Sequence, residues 1–170
     1  FINQIIVASD SEEVLDIVRG FNFNKVKLYR RNFENAQDHS TSEDVMIEYI
    51  DYAKLSNSDI FMLVQATSPF TQSEHFNGGL ELMKEYDSVL SCTLSNKFTW
   101  NEEGEALNYD INKRPRRQNY KGNLIENGAF YINTVGNIKM YKNRISGNIG
   151  IYKMPSYSSI EIDEPLDWLV

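Results

Sequence analysis

Two acidic residues, Glu161 and Asp163, are separated by a single residue near the end of the sequence. On an extended segment both side chains lie on one face, where their oxygens could share a Mg²⁺ ion or oppose a phosphate-bound metal. The same acids could instead face solvent before a helix, with Asp163 or Glu164 as its N-terminal cap. The spacing indicates a candidate metal pair, and the residues alone leave both interpretations open.

Gln65 directly follows the most apolar run of the chain, residues 59–64. Ligands of open α/β sheets lie beyond the carboxyl ends of the strands, and an amide at such an end can donate to and accept from a polar ligand. The alternative is that Thr67 and Ser68 only cap a turn before the next proline. Gln65 is therefore a candidate ligand-binding residue.

An Asn-Gly pair, Asn127 and Gly128, lies between two segments rich in β-forming residues. Such a pair is first of all a turn signal, and a type I′ hairpin would explain it. The sharper interpretation is that Asn127 binds a ligand.

A basic cluster over residues 113–117 contains Arg114, Arg116 and Arg117 in an otherwise acidic chain. Guanidinium groups bind carboxylates and phosphates through paired hydrogen bonds, and the adjacent Gln118 adds an amide. The alternative is a solvated run of charge without a ligand. By itself, Arg31 is adequately explained as a surface arginine.

The elements that must position these residues alternate between strands and helices. The patterns predict strands over residues 4–10, 26–30, 59–64, 88–93, 128–132 and 149–153, and helices over 11–20, 42–55, 74–85 and from about 164 onward. This alternation favours a Rossmann-like α/β domain with a mostly parallel sheet, spanning residues 1–170 as one domain. A polar stretch, residues 95–123, interrupts the alternation, and we interpret it as an excursion from the domain.

Composition limits the classes of partner. With 17 Lys and Arg against 24 Asp and Glu, the net charge is −7, so no overall basic field exists to attract nucleic acid. Cys92 is the only cysteine, and no apolar stretch is long enough to span a bilayer. We therefore expect a soluble cytoplasmic protein that binds neither nucleic acid nor membranes.

Six short motifs, taken in order, resemble those of the acylneuraminate cytidylyltransferases, the CMP-sialic acid synthetase family. They are residues 5–10, Arg31 with residues 36–42, and residues 65–70, 117–118, 127–131 and 160–163. The match covers nearly the whole chain. It includes Gln-Ala-Thr-Ser-Pro-Phe at 65–70, similar to the family's Gln-Pro-Thr-Ser-Pro-Leu, and Asn-Gly-Ala-Phe-Tyr at 127–131, similar to its Asn-Gly-Ala-Ile-Tyr.

The resemblance implies transfer of CMP from CTP to the anomeric hydroxyl of a nine-carbon α-keto acid sugar, with release of pyrophosphate. It implies Mg²⁺ as the cofactor, with Glu161 and Asp163 as its ligands and as the catalytic acids. It further implies sugar binding by Gln65, Asn127 and Tyr131, nucleotide binding by Arg31 and Ser42, and substrate binding by Arg117 and Gln118. The excursion would be the dimerisation element of a homodimer and would carry Arg117 into the neighbour's site.

The sequence also departs from the family pattern. The family's opening strand and phosphate loop would precede Phe1, so we expect the sequence to begin inside the fold and, alone, to bind CTP weakly. Glu161 replaces the first metal-binding aspartate, and Ile125 stands where some members have an arginine. The motif at 65–70 differs from that of the related synthetases for eight-carbon sugars, and legionaminic and pseudaminic acids remain candidate substrates. The alternative function is a non-catalytic domain that binds an acidic sugar or assembles with a partner.

Overall fold

The computed structural model describes residues 2–37 and 40–169. The chain forms two compact units, Phe1–Asn57 and Ser58–Val170. The expected single domain over residues 1–170 therefore stays a prediction.

The described part of the first unit contains two strands, two α-helices and a 3₁₀ turn, Phe33–Asn35. The strands and α-helices are β1 (Ile5–Ser9), α1 (Glu12–Gly20), β2 (Val26–Arg30) and α2 (Ser42–Tyr52). The two strands pair in parallel, as a strand–helix–strand unit predicts. Helix α2 begins with a capping box, in which Thr41 and Asp44 bond each other's backbone N–H groups. It ends earlier than the predicted residue 55, because Lys54 takes a left-handed conformation with φ of 52°.

The second unit contains a four-stranded sheet in the order β3-β5-β4-β6. Its elements are β3 (Ile60–Val64), α3 (Ser73–Leu82), β4 (Ser88–Ser95), β5 (Asn123–Thr134), α4 (Val135–Tyr141) and β6 (Ile149–Met154). Strand β4 is parallel to β6, and β5 runs antiparallel to both β3 and β4. Three of the four strands thus share one direction, which confirms the α/β fold with mostly parallel strands.

The sheet of the second unit buries different residues on its two faces. Phe130 and Ile132 belong to a core cluster with Val89, against which Phe76 and Leu80 of α3 pack. A Cβ added to Gly79 of α3 would lie 2.6 Å from the Phe130 ring, so the glycine permits this close approach. Residues Leu90, Cys92 and Tyr131 form a separate buried cluster. Since Tyr131 lies between Phe130 and Ile132, its side chain points to the opposite face of the sheet.

Two helical segments differ from the sequence-based expectation. Helix α4 was not predicted; it begins after Thr134, whose hydroxyl accepts the N–H of Asn137. The helix expected from about residue 164 is a 3₁₀ helix, Pro165–Leu169. Within the residues that the structure describes, no helix is both long and apolar enough to cross a membrane.

The polar stretch 95–123 is organised around aromatic side chains. The ring of Phe98 lies 4.3 Å from that of Tyr109 and 5.0 Å from that of Tyr120, measured between centroids. The guanidinium of Arg114 lies 4.6 Å from the centroid of the Phe98 ring. Phe98 is half-buried by these contacts, whereas Trp100 remains 49% exposed. The role of this stretch in dimerisation stays a prediction.

Candidate functional site

The Asn-Gly pair lies inside strand β5 and forms a bulge. Leu90 of β4 pairs with Tyr131, whereas Cys92 pairs with Glu126, so residues 127–130 of β5 stand opposite the single residue Ser91. Gly128 has φ of 64°, the left-handed conformation that glycine adopts most readily. The hairpin interpretation is wrong, because the turn-forming tendency of the pair produces a bulge within one continuous strand.

The hydroxyl of Ser91 satisfies the backbone at this bulge. It accepts the N–H of Phe130 at 3.0 Å and donates to the carbonyl oxygen of the same residue at 3.2 Å. The bulge interrupts the hydrogen bonds between β4 and β5, and the bonds from Ser91 replace some of them. Because Ser91 is only 1% exposed, water could not do so. Ser91 therefore satisfies the backbone of the bulge at Phe130.

Gln65 and Glu161 both approach the bulge at Gly128. A Cβ built on Gly128 would lie 2.7 Å from Oε1 of Glu161 and would overlap Oε1 of Gln65. Glycine leaves room for both side chains in these positions and adopts the positive φ readily. The structure thus brings three of the sequence motifs together, those at 65–70, 127–131 and 160–163.

Hydrogen bonds between the three segments fix this arrangement. The Ser68 hydroxyl donates to the carbonyl oxygen of Asn127 at 3.1 Å, and both residues are buried. The N–H of Ile162 donates to the carbonyl oxygen of Thr67 at 2.8 Å. A turn does follow Gln65, but the Ser68 hydroxyl reaches across to the bulge rather than only capping that turn.

The side chain of Asn127 is buried, with 2% of its surface exposed. Its Nδ2 donates to the carbonyl oxygen of Ser158 at 2.9 Å and to Sδ of Met154 at 3.3 Å. Its Oδ1 has no hydrogen-bond partner among residues 2–37 and 40–169. Asn127 therefore holds the backbone at Ser158, three residues before Glu161. That Asn127 binds the sugar stays a prediction.

The acidic pair differs in burial and backbone environment. Burial, followed by the charge of Asp163, raises the pKa of the Glu161 carboxyl above its usual value. Asp163 is exposed, and its N–H and that of Glu164 both donate to the carboxylate of Asp167, at 2.9 and 2.8 Å. The carbonyl oxygen of Glu164 accepts the N–H of Asp167 at 2.9 Å, so Glu164 directly precedes the 3₁₀ helix, as expected of a cap, and the Asp167 side chain bonds back to it. In the part of the chain that the structure describes, no group of three or more His, Cys, Asp or Glu side chains could hold a metal ion.

Tyr131 points to the sheet face opposite Phe130 and is 6% exposed. Its hydroxyl donates to the Glu126 carboxylate at 2.8 Å, and the Arg144 guanidinium lies 4.9 Å from its ring centroid. Burial, then the hydrogen bond and charge of Glu126, raise the pKa of Tyr131 to about 12. The phenol is therefore neutral at physiological pH. Sequence reasoning missed Glu126, although it directly precedes the Asn-Gly pair.

Arg117 and Gln118 are exposed. An open pocket of about 620 Å³ is lined by Asn96, Lys97, Phe98, Arg114, Pro115 and Arg117. Sequence reasoning missed Lys97 as a neighbour of the arginines, because it lies well before the basic cluster in the chain. The pocket combines cationic side chains with an aromatic ring, which suits an anionic ligand.

Arg31 and Ser42 belong to the first unit. Arg31 follows β2, its Nη2 donates to the carbonyl oxygen of Asn35, and Ser42 is the first residue of α2. The Nε of Arg31 is buried and finds no partner within the described ranges 2–37 and 40–169. Asp38 and His39, which belong to the motif at 36–42, lie outside the described residues.

Comparison with known proteins adds sequence relatives. N-acylneuraminate cytidylyltransferase B of Danio rerio is 30% identical over 99% of this chain and 41% of its own length. N-acylneuraminate cytidylyltransferase A of the same organism is 31% identical, and that of Oncorhynchus mykiss is 30% identical, each over 99% of this chain. The chain spans about 40% of the length of these curated relatives.

Solved structures share the fold. The 4-diphosphocytidyl-2C-methyl-D-erythritol synthase of Anaerococcus prevotii superposes with a TM-score of 0.67 at 14% identity, covering 99% of this chain and 76% of that one. A CMP:2-keto-3-deoxy-manno-octonic acid synthetase in complex with CTP gives a TM-score of 0.58 at 17% identity, covering 89% and 72%. The sequence itself matches the cytidylyltransferase family over residues 1–167, so the chain belongs to that family.

Proposed function

We propose that the protein transfers CMP from CTP to the anomeric hydroxyl of a nine-carbon α-keto acid sugar, sialic acid or an analogue, and releases pyrophosphate. The single observation that carries this proposal is the convergence of Gln65 and Glu161 on the bulge at Gly128. Membership of the cytidylyltransferase family and the names of the relatives at 30% identity support the same reaction.

Polar groups at the bulge suit the sugar. The Gln65 amide can both donate to and accept from hydroxyl and N-acyl groups of a sugar. The Oδ1 atom of Asn127 has no hydrogen-bond partner among the described residues. This oxygen could accept a hydrogen bond from a donor group of the sugar. Tyr131 is proposed as a further sugar-binding residue on the strength of the resemblance, and its phenol is kept neutral by burial and by Glu126.

Glu161 and Asp163 are suited to a divalent cation. The charge of Asp163 contributes to the raised pKa of Glu161, so the two carboxylates repel each other, and a cation bound between them would relieve this repulsion. Mg²⁺ commonly takes one or two protein carboxylates and completes its shell with phosphate oxygens and water. When bound here, Mg²⁺ would neutralise charge on the phosphates.

The protein also has to align the sugar with the triphosphate of CTP. The sugar hydroxyl has to lie in line with the α-phosphorus and the leaving pyrophosphate, and such a displacement needs positioning and charge stabilisation rather than covalent help from the protein. Gln65 would orient the sugar, and in the first unit Arg31 and Ser42 would contact the nucleotide. The proposed homodimer would add Arg117 with Gln118 at the partner's sugar carboxylate, where a guanidinium can form two parallel hydrogen bonds.

The test is release of pyrophosphate by the full-length protein with CTP, Mg²⁺ and a panel of acidic sugars. We expect turnover with one or more nine-carbon acids and little with eight-carbon acids or hexose 1-phosphates. Asp163→Asn should lower turnover at least a hundredfold without loss of folding, because the metal pair would be broken. Binding of an acidic sugar without any release of pyrophosphate would favour the non-catalytic alternative.

A further inference from the structure

Glu48, in the middle of α2, is the centre of a hydrogen-bond network in the first unit. Its carboxylate accepts the Tyr29 hydroxyl at 2.7 Å, the N–H of Asn32 at 2.8 Å and Nδ2 of Asn35 at 2.7 Å. A glutamate on the solvated face of a helix needs no protein partners, whereas this one satisfies three donors from another segment. Nothing in the six sequence motifs assigns a role to it.

The three donors hold the segment that carries Arg31. Asn32 precedes the 3₁₀ turn Phe33–Asn35, which follows β2, and Asn35 is the last residue of that turn. The carbonyl oxygen of Asn35 accepts Nη2 of Arg31, and the N–H of Arg31 donates to the carbonyl oxygen of Ser9 at 3.1 Å. The backbone of Arg31 is thus fixed by β1, while its guanidinium is oriented by a turn that Glu48 holds in place.

The electrostatics show that Glu48 acts as an anion. Burial acts to raise the pKa of its carboxyl, but the hydrogen bonds from Tyr29, Asn32 and Asn35 and the charge of Arg31 outweigh burial and lower that pKa. Glutamine could not replace it, because its amide nitrogen would meet one or more donors and could not accept from them.

We propose that Glu48 is a positioning residue for nucleotide binding, because it fixes the 32–35 turn and thereby the direction of the Arg31 guanidinium. The inference rests on the proposed role of Arg31 as a nucleotide contact. Glu48 itself does not touch the ligand; its contribution to affinity passes through Arg31.

The first test measures CTP affinity by calorimetry on the full-length protein and on its variants. Glu48→Gln should weaken CTP binding about tenfold, the effect of misplacing one charge-assisted contact. The control Glu34→Gln removes one charge from an exposed residue of the same turn and should change the affinity less than twofold. In an Arg31→Ala background Glu48→Gln should add less than a twofold loss. An equal loss in both backgrounds, or no loss from Glu48→Gln, overturns the proposal.

The second test reads the position of Arg31 without any ligand. The heteronuclear NOE of the Arg31 Nε–Hε group should be high in the wild type, because the group is rigid, and low in Glu48→Gln, because the group becomes mobile. An equally high NOE in both proteins overturns the proposal. If Glu48→Gln does not fold, Asn35→Ala replaces it, since this change cuts one bond to Glu48 and keeps the carbonyl that Arg31 uses. If Arg31→Ala leaves the CTP affinity unchanged, the nucleotide role of Arg31 is wrong, and the NOE still decides whether Glu48 positions it.

Discussion

The Ser68 hydroxyl donates a 3.1 Å hydrogen bond to the carbonyl oxygen of Asn127, which is 59 residues further along the chain. This bond joins the segment after β3 to the bulge in β5, and Asn127 in turn holds the carbonyl of Ser158 just before Glu161. Three segments that are distant in sequence are therefore coupled through one buried residue.

Ser68→Ala should lower the free energy of unfolding by about 1–3 kcal/mol, because the buried carbonyl of Asn127 would lose its hydroxyl donor. Urea unfolding followed by circular dichroism measures this change. Ser159→Ala is the matched control, since the Ser159 hydroxyl makes an exposed local bond to the carbonyl of Ser156, and its loss should cost less than about 1 kcal/mol. Equal losses in the two variants would contradict the importance of burial at Ser68.

Gly128→Ala should impair both stability and turnover, because a Cβ there meets Gln65 and Glu161 in addition to straining a positive φ. Gly104→Ala is the control: its φ of 83° is also positive, but no heavy atom lies within 4 Å of the added Cβ. The control should lose about 1 kcal/mol from backbone strain alone. We expect a larger loss for Gly128→Ala, together with a turnover reduced more than tenfold. Similar behaviour of both variants would show that the two side chains simply move aside.

Features of the fold that short stretches of the sequence encode were predictable. Strong patterns, such as the apolar run at β3 and the helical spacing of apolar residues in α2, predicted the elements well because local signals and tertiary packing agree there. The motifs at 65–70 and 160–163 were also found, and the structure brings them together at Gly128. Their roles in catalysis remain proposals.

Other features depend on contacts that no local pattern reveals. Asn-Gly favours turns, and only the pairing of β5 with β4 shows that residues 127–130 form a bulge opposite Ser91. The seven-residue α4 is too short for a convincing helical period, and the Asp167 side chain bonds back to residues that precede it. Glu48 resembles any polar residue of an amphipathic helix until its three donors are seen.

The raised pKa of Glu161 predicts a specific dependence of stability on pH. The folded protein binds this proton more tightly than the unfolded chain, so the resulting stability is complete below the ordinary carboxyl pKa of 4.5 and is lost as the pH rises through the raised value. Glu161→Gln removes this loss, so the variant should be more stable than the wild type at pH 7 and should differ little at pH 4. Urea midpoints over this range measure the effect.

Glu164→Gln is the control for that experiment, because it removes one charge from an exposed residue of the same segment. Its midpoint should follow that of the wild type across the range. Despite its higher stability, Glu161→Gln should turn over at least tenfold more slowly if Glu161 holds Mg²⁺. Turnover at the level of the wild type would remove Glu161 from the proposed metal pair.

The last prediction concerns Arg117, which is exposed and lines the open pocket formed by residues 96–98, 114, 115 and 117. We propose that it acts on the sugar of the partner in a homodimer, because Trp100 of the same polar stretch is 49% exposed, and exposed aromatic side chains are typical of interface anchors. The test mixes two full-length variants that should each be inactive, Arg117→Ala and Asp163→Asn. If Arg117 acts across the interface, one site of a mixed dimer contains neither change, while the other contains both.

Random exchange makes half of the dimers mixed, and each mixed dimer has one intact site out of two. About a quarter of the wild-type turnover should therefore return after exchange. If Arg117 acts within its own subunit, every site in the mixture keeps one defect, and turnover stays at the level of the separate variants. Light scattering at the assay concentration provides the necessary control, because a monomeric protein cannot complement. If the protein is a monomer, Arg117 is part of a solvated run of charge without a ligand. The same would hold for Lys97 and Arg114, because they line the same pocket.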